Sequence, residues 1–208
     1  MKLVIVDTET TGLDRQRDEV IELAAIKVGF PIGDTCEMFY QRFAPSVPVS
    51  PEAAKVNGYT PEAWGNAPIL HSPDGGIALS GFVDFIRGAR WVGSMPQFDF
   101  DMLHRPCAAM RGFDIGKVLA SRRLIDVGSL GAMLVLAGIG EKGGLDELCE
   151  KLKIPDTNDP MLDDFAKMTG GRIGPHTAMG DALRTLAAFV TLTEVFVPAA
   201  WEAFGVPR

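Results

Sequence analysis

The sequence predicts an α/β fold: a mixed five-stranded sheet, antiparallel meander first and parallel strands after, with helices on both faces. Three observations predict it. Strand-like runs come first and lie close together, which implies hairpin connections. Shorter strands then alternate with helical periodicities, which implies strands added by crossover. No internal repeat, linker or low-complexity tract divides the 208 residues, so a single domain over residues 1–208 is the economical organisation.

Leu3 to Val6 is an unbroken run of branched apolar residues, the pattern of a strand buried on both faces. Glu19 to Val28 reads as the second strand and Glu37 to Phe43 as the third, with a turn from Gly29 to Asp34 between them. Pro45, Pro48 and Pro51 then imply an extended, irregular crossing, because proline has no amide for a central ladder. Thr60-Pro61-Glu62 starts a helix: a capping hydroxyl, proline at the first helical position, then an acid. Ser72 to Gly76 reads as a loop, and Ser80 as the cap of a helix with Phe82, Val83, Phe85 and Ile86 on its apolar face. Arg90 to Gly93 is the fourth strand and Ser94-Met95-Pro96 a turn. A helix follows from near Asp99, kinked or shifted by Pro106.

Leu124 to Val127 is the fifth strand and Ser129 to Leu136 a helix. Leu145, Leu148, Cys149 and Leu152 fall at i, i+3, i+4 and i+7, an amphipathic helix of the core-packing kind. Residues 154–174 are polar, carry Asp, Pro and Gly, and lack periodicity, as a loop insertion or small lid would. The last helix runs from about Thr177 to Val197 and ends at Pro198.

Hydrophobic residues make up 47% and charged residues 23%, ordinary for a globular chain. No apolar run approaches the ~20 residues of a membrane helix, and there is no secretory leader. Cys36, Cys107 and Cys149 sit among apolar neighbours and read as buried reduced thiols, which points to the cytoplasm. A net charge of −7 argues against a general nucleic-acid binder. That objection weakens if several acids hold cations. The short stretch after Pro198 implies no long arm for docking on a polymerase.

The first strand delivers Asp7 and Glu9 at its carboxyl end, two residues apart, so their carboxylates can converge on one side of the sheet. Anions brought together in this way repel unless a cation lies between them, and an oxygen-loving divalent ion such as magnesium suits them. A lone Asp-x-Glu is common and could merely solvate a turn. Two further acidic sites change the weighing. Phe98-Asp99 stands at a helix start, and His176 to Asp181 opens the final helix. Singly, Asp99 could cap its helix, with Asp101 as acidic a neighbour, and Asp181 could be a dipole partner. His176 could be an idle loop histidine, like His71 and His104. Asp163 and Asp164 read as solvated, and Asp126 as a supporting residue.

Taken together, Asp7, Glu9, Asp99, His176 and Asp181 resemble the DEDDh family of 3′-to-5′ exonucleases. The likeness extends over Asp7 to Leu13, Val56 to Thr60, Phe98-Asp99, Leu124 to Asp126, Leu145 to Cys149 and His176 to Ala182, in the family's order. It implies a ribonuclease-H-like sheet and an enzyme that hydrolyses phosphodiester bonds from 3′ ends, releasing nucleoside 5′-monophosphates. It further implies that Asp7, Glu9, Asp99 and Asp181 hold two Mg²⁺ ions, replaceable by Mn²⁺, and that His176 is the general base. A pair of ions roughly 3.5–4 Å apart suits such chemistry by clamping the attacking and leaving oxygens.

By the same resemblance the Thr10 to Leu13 turn binds the 3′-terminal nucleotide, with Thr10, Leu13 and Asn57 as substrate contacts. Two positions depart from the family: Asn57 replaces a frequent histidine, and Met95 a usual asparagine. Single-stranded DNA is the expected partner. An RNA-trimming exoribonuclease and a polymerase-associated proofreading subunit are the alternatives.

Overall fold

The computed structural model describes residues 1–33, 36–111, 114–136, 138–154, 166–167, 169–171 and 173–204. Its centre is a five-stranded sheet of order β3-β2-β1-β4-β5. The strands are β1 (Lys2–Thr10), β2 (Val20–Gly29), β3 (Cys36–Arg42), β4 (Arg90–Gly93) and β5 (Ile125–Asp126). β1 pairs antiparallel with β2, and β2 antiparallel with β3. β4 lies parallel to β1 and β5 parallel to β4. This is the ribonuclease-H-like arrangement, antiparallel then parallel, that the sequence predicts.

Alternation along β1 decides what the site can contain. Val4 and Val6 point into one core, formed with α3 (Pro73–Phe85) and α4 (Pro96–Arg111). Leu3 and Ile5 point into the other, formed with α6 (Val127–Leu136), α7 (Leu145–Leu152) and the last helix, α8 (Ala178–Phe204). All four are fully buried, each stabilising the fold by about 1.5–3 kcal/mol. A strand repeats every two residues, so Asp7 and Glu9 continue the face toward α8. Thr8 and Thr10 continue the face toward α4. β1 therefore carries both acids near its carboxyl end, as the sequence predicts.

The crossing after β3 is less irregular than its prolines suggest. Pro51–Asn57 forms α1, where the Ser50 hydroxyl accepts from the Ala53 amide and Gly58, at φ 67°, donates back to Ala54. Pro61–Trp64 forms α2, capped by Thr60 as expected. The expected loop at Ser72 to Gly76 is instead the start of α3, with Ser72 as its cap. Gly75 permits this, because a Cβ there would lie 2.3 Å from the Ile69 carbonyl oxygen. Ser80 caps nothing; it lies inside α3 and donates to the Gly76 carbonyl.

α4 starts at Pro96, earlier than Asp99, and passes through Pro106. Met102, Leu103 and Cys107 are buried on both sides of that proline, and their packing outweighs one lost backbone bond. A short helix, α5 (Ile115–Val118), follows. α8 likewise continues through Pro198, where the sequence implies an end. Proline removes one amide donor without forbidding helical backbone. Cys107 and Cys149 are buried, but Cys36 is exposed, since β3 is the edge strand. Most of the proposed 154–174 insertion, with Asp163 and Asp164, lies outside the described residues. Among the described residues no helix is long and apolar enough to cross a membrane.

Candidate active site

Three elements meet at the carboxyl end of β1. β1 supplies Asp7 and Glu9, the first turn of α4 supplies Asp99, and the first turn of α8 supplies Asp181. Ligand atoms of Asp7, Glu9 and Asp181 lie within 4.8 Å of one another. Asp99 is 3% exposed and accepts a hydrogen bond from the Thr8 hydroxyl at 2.7 Å. Asp101 faces away from this cluster, accepting from the Gln97 amide at 2.8 Å and pairing with Arg15 at 3.3 Å. A cleft of about 340 Å³ is lined by Asp7, Glu9, Asp99 and Asp181, and His176 stands on its wall beside Asp146.

The start of α8 is built around Thr177. Its hydroxyl donates to the Gly174 carbonyl and accepts from the Gly180 amide, and its carbonyl accepts from the Asp181 amide. The buried Glu22 carboxylate accepts from the Ala178 amide at 3.3 Å, joining α8 to β2. His176, just ahead of the helix, adopts φ 59°. For a residue other than glycine this backbone is strained, and such strain clusters at functional sites.

The electrostatics are those of a site short of positive charge. Burial pushes the Asp7 carboxyl well up, and Asp99, Asp181, Glu9 and Glu22 push it further. Asp99 is raised from 3.8 to about 7 by burial, against the hydrogen bonds from Thr8 that favour its anion. Asp181 is raised by burial despite the neighbouring Arg184 guanidinium and His176. Carboxylates brought this close resist ionisation, and a bound cation would favour their anions. The donor set is all oxygen and suits a hard divalent ion. Asp7, Glu9 and Asp181 could hold such an ion, with Asp99 beside them.

The RNase_T family model, described as Exonuclease, matches residues 4–189. The chain belongs to this exonuclease family. Its fold is that of the solved exonucleases it superposes on. It is 28% identical over 161 residues to the DNA polymerase III subunit epsilon of Rickettsia conorii, covering 76% of this chain and 64% of that protein. The E. coli exonuclease I of an ssDNA complex with bound zinc superposes with a TM-score of 0.67 at 16% identity, over 93% of this chain and 41% of that one. Exonuclease X, bound to 5′-overhanging duplex DNA, superposes with a TM-score of 0.56 at 18% identity, over 92% of this chain and 91% of that one. This chain thus spans less than two thirds of the first two.

The turn that follows β1 in this exonuclease chain leads into a second cleft, of about 540 Å³, lined among others by Thr10, Gly12, Leu13, Val56 and Asn57. Leu13 is 84% exposed and Val56 54% exposed. Both also line the acidic cleft, so the two spaces adjoin. Asn57 is buried; its amide donates to the Thr10 carbonyl at 3.1 Å, and its carbonyl accepts from the Tyr59 amide at 3.0 Å. Its side chain braces the turn and lines this cleft. Asp126 accepts from the amide and hydroxyl of Ser129 and so caps α6.

Sequence reasoning passed over Thr8, Glu22, Asp146 and Arg184. Arg184 donates to Asp181 at 3.0 Å and to Asp146 at 2.7 Å. Its three-residue spacing from Asp181 put the two on one helix face, a signal present in the sequence. His71 and His104 do not line the acidic cleft. They lie 3.4 Å from Glu19 and 3.5 Å from Asp114.

Proposed function

We propose that this chain is a divalent-metal-dependent 3′-to-5′ exonuclease that removes nucleoside 5′-monophosphates from single-stranded DNA. The observation that carries this reading is the convergence of Asp7, Glu9 and Asp181, with buried Asp99 alongside and His176 on the wall of the same cleft. Asp7, Glu9, Asp99 and Asp181 would hold two Mg²⁺ ions, with Mn²⁺ able to substitute. Such ions supply an acidified water and stabilise charge on the leaving oxygen.

The side chains divide the remaining work. His176 takes the water's proton on an imidazole nitrogen, a role that a neutral imidazole's free lone pair allows. The water oxygen forms a bond to phosphorus as the bond from phosphorus to the 3′ oxygen of the preceding nucleotide breaks. The products are a nucleoside 5′-monophosphate and a chain one nucleotide shorter. Thr10 and Leu13 receive the terminal nucleotide. The exposed apolar surface of Leu13 and Val56 suits a base, and Asn57 keeps the turn in register.

Single strands are favoured on two grounds. The net charge of −7 leaves few counterion-releasing contacts for a long duplex, and a duplex end must melt to reach the cleft, at a cost of a few kcal/mol. The oligonucleotide complexes of exonuclease I agree with this choice. Residues 1–208 are read as one exonuclease domain, and the free thiols of Cys36, Cys107 and Cys149 suit the cytoplasm. Likeness to the polymerase III subunit epsilon favours proofreading as a second reading.

The deciding experiment mixes the protein and Mg²⁺ with 5′-labelled DNA and RNA, single- and double-stranded. A ladder shortening from the 3′ end, fastest on single-stranded DNA, is expected. Internal cuts, shortening from the 5′ end, or undiminished activity in excess chelator would defeat the reading.

A further inference from the structure

We propose that Asp146 is a positioning residue for His176, and that Arg184 holds Asp146 in place by bridging it to Asp181. The inference rests on the reading of His176 as the base. Asp146 lies in the first turn of α7, a place where an acid needs no function beyond the helix dipole. Its surroundings say more. Arg184 Nη2 donates to Asp146 Oδ1 at 2.7 Å, and Arg184 Nη1 donates to Asp181 Oδ1 at 3.0 Å. The Arg184 side chain is only 6% exposed. A buried guanidinium is unfavourable unless paired, and its planar fork fixes the orientation of both carboxylates it bonds.

With Oδ1 so fixed, the other oxygen of Asp146 is aimed. Oδ2 lies 3.9 Å from His176 Nε2. That separation is longer than a hydrogen bond, as contacts of catalytic groups often are before substrate arrives. An imidazole whose Nε2–H is directed at a carboxylate carries its lone pair on Nδ1. Asp146 thereby selects which nitrogen accepts the proton, and it limits rotation of a ring that is otherwise half exposed. Three separate parts of the chain, namely α7, the turn before α8 and α8 itself, converge to make this arrangement. Arg184 links it directly to the carboxylate of Asp181, so base and acidic cluster keep a common geometry.

A merely structural Asp146 would neutralise Arg184 and do nothing more. A double-mutant cycle separates the two roles. Asp146 is 64% exposed at its side chain, so Asp146→Asn leaves the core intact. Alone, it should lower kcat on single-stranded DNA by about 10–100-fold, as loss of a supporting partner does, with KM unchanged. Mn²⁺ affinity, measured calorimetrically with the metal alone, should not move. In a His176→Asn background the same change should cost no more than about 2-fold, because the two residues act as a unit. Equal losses in both backgrounds, parental kcat in Asp146→Asn, or a weakened Mn²⁺ isotherm would each overturn the proposal. If the parental protein with Mg²⁺ leaves 3′ ends intact, the reading of His176 falls and this inference falls with it. An active parent with an additive cycle removes the inference alone.

Discussion

The Thr8 hydroxyl donates to Asp99 Oδ1 at 2.7 Å, joining the strand that carries two of the acids to the helix that carries a third. Thr8 and its neighbours Asp7 and Glu9 leave β1 on opposite faces, so one strand serves both sides of the cluster. The bond also explains why Asp99, and not Asp101, faces the cleft. Asp101 lies two residues further along α4, turned to the exposed Arg15.

Thr8→Val keeps the shape of the side chain and removes the donor. Asp99 then loses a partner that favours its anion. Mn²⁺ binding, followed calorimetrically, should weaken about 10-fold, in the range found for partners of metal-holding groups. An unchanged isotherm would show that Asp99 needs no such support.

The metal-free protein should lose stability as pH rises. Asp99 holds its proton to about 7 when folded, against 3.8 ordinarily. Below roughly pH 4 both folded and unfolded chains are protonated there, and no penalty exists. Between these values only the unfolded chain is ionised, so the folded state binds more protons and stability falls with pH. Above about 7 the penalty is complete and constant. Asp7 and Asp181, raised likewise, act in the same direction. In chelator the thermal midpoint should therefore fall from pH 4 to 7, and saturating Mg²⁺ should flatten the trend by binding the ionised cluster. Asp99→Asn should make the chelator profile shallower. An unaltered profile in that variant would show that another group causes the slope.

Much of this was legible in the chain. Leu3 to Val6 announced a central buried strand, and the two-residue period placed Asp7 and Glu9 on one face. What escaped was local, and the physics was available. Thr60-Pro61-Glu62 reads as a helix start, and Ser50-Pro51-Glu52 and Ser72-Pro73-Asp74 carry the same signal and begin α1 and α3. Proline spacing obscured the first, and the Gly75-Gly76 pair obscured the second. That pair reads as a loop until the Ile69 and Leu70 carbonyls are seen against Gly75. The bridge from Arg184 to Asp146 was less accessible, since it joins α8 to α7 across 38 positions. No local pattern encodes such a contact.

Asp7→Asn should abolish turnover while raising the thermal midpoint in chelator. It removes the charge that Asp99, Asp181, Glu9 and Glu22 all disfavour, and with it an oxygen anion needed to hold a divalent ion. Stability and activity therefore move in opposite directions, a signature that simple misfolding cannot produce. A lowered midpoint in chelator, or near-parental turnover, would contradict this account.

His176→Asn should lower kcat by about 10²–10⁴-fold, the range for a lost general base. Asparagine tolerates the left-handed backbone at this position, so the turn survives the change. Calorimetric Mn²⁺ affinity should stay at the parental value. A large loss of affinity with a small kinetic change would make His176 a ligand.

Gly180→Ala tests how the turn carrying His176 is held. A Cβ at Gly180 would lie 2.0 Å from the Gly174 carbonyl oxygen and 2.6 Å from that of Ile173. Both obstacles are backbone, so neither can rotate aside. The segment must retreat from α8, at about 1–3 kcal/mol or more, and it must break the bond from Thr177 to Gly174. His176 is two residues beyond Gly174 and moves with it, whereas Asp7 and Glu9, anchored in β1, do not. The thermal midpoint should therefore fall, and kcat should fall with it, while much of the Mn²⁺ affinity remains. In a His176→Asn background Gly180→Ala should still lower the midpoint but add little further loss of kcat. Equal kinetic losses in both backgrounds would mean that the glycine supports Asp181 directly and not the histidine turn.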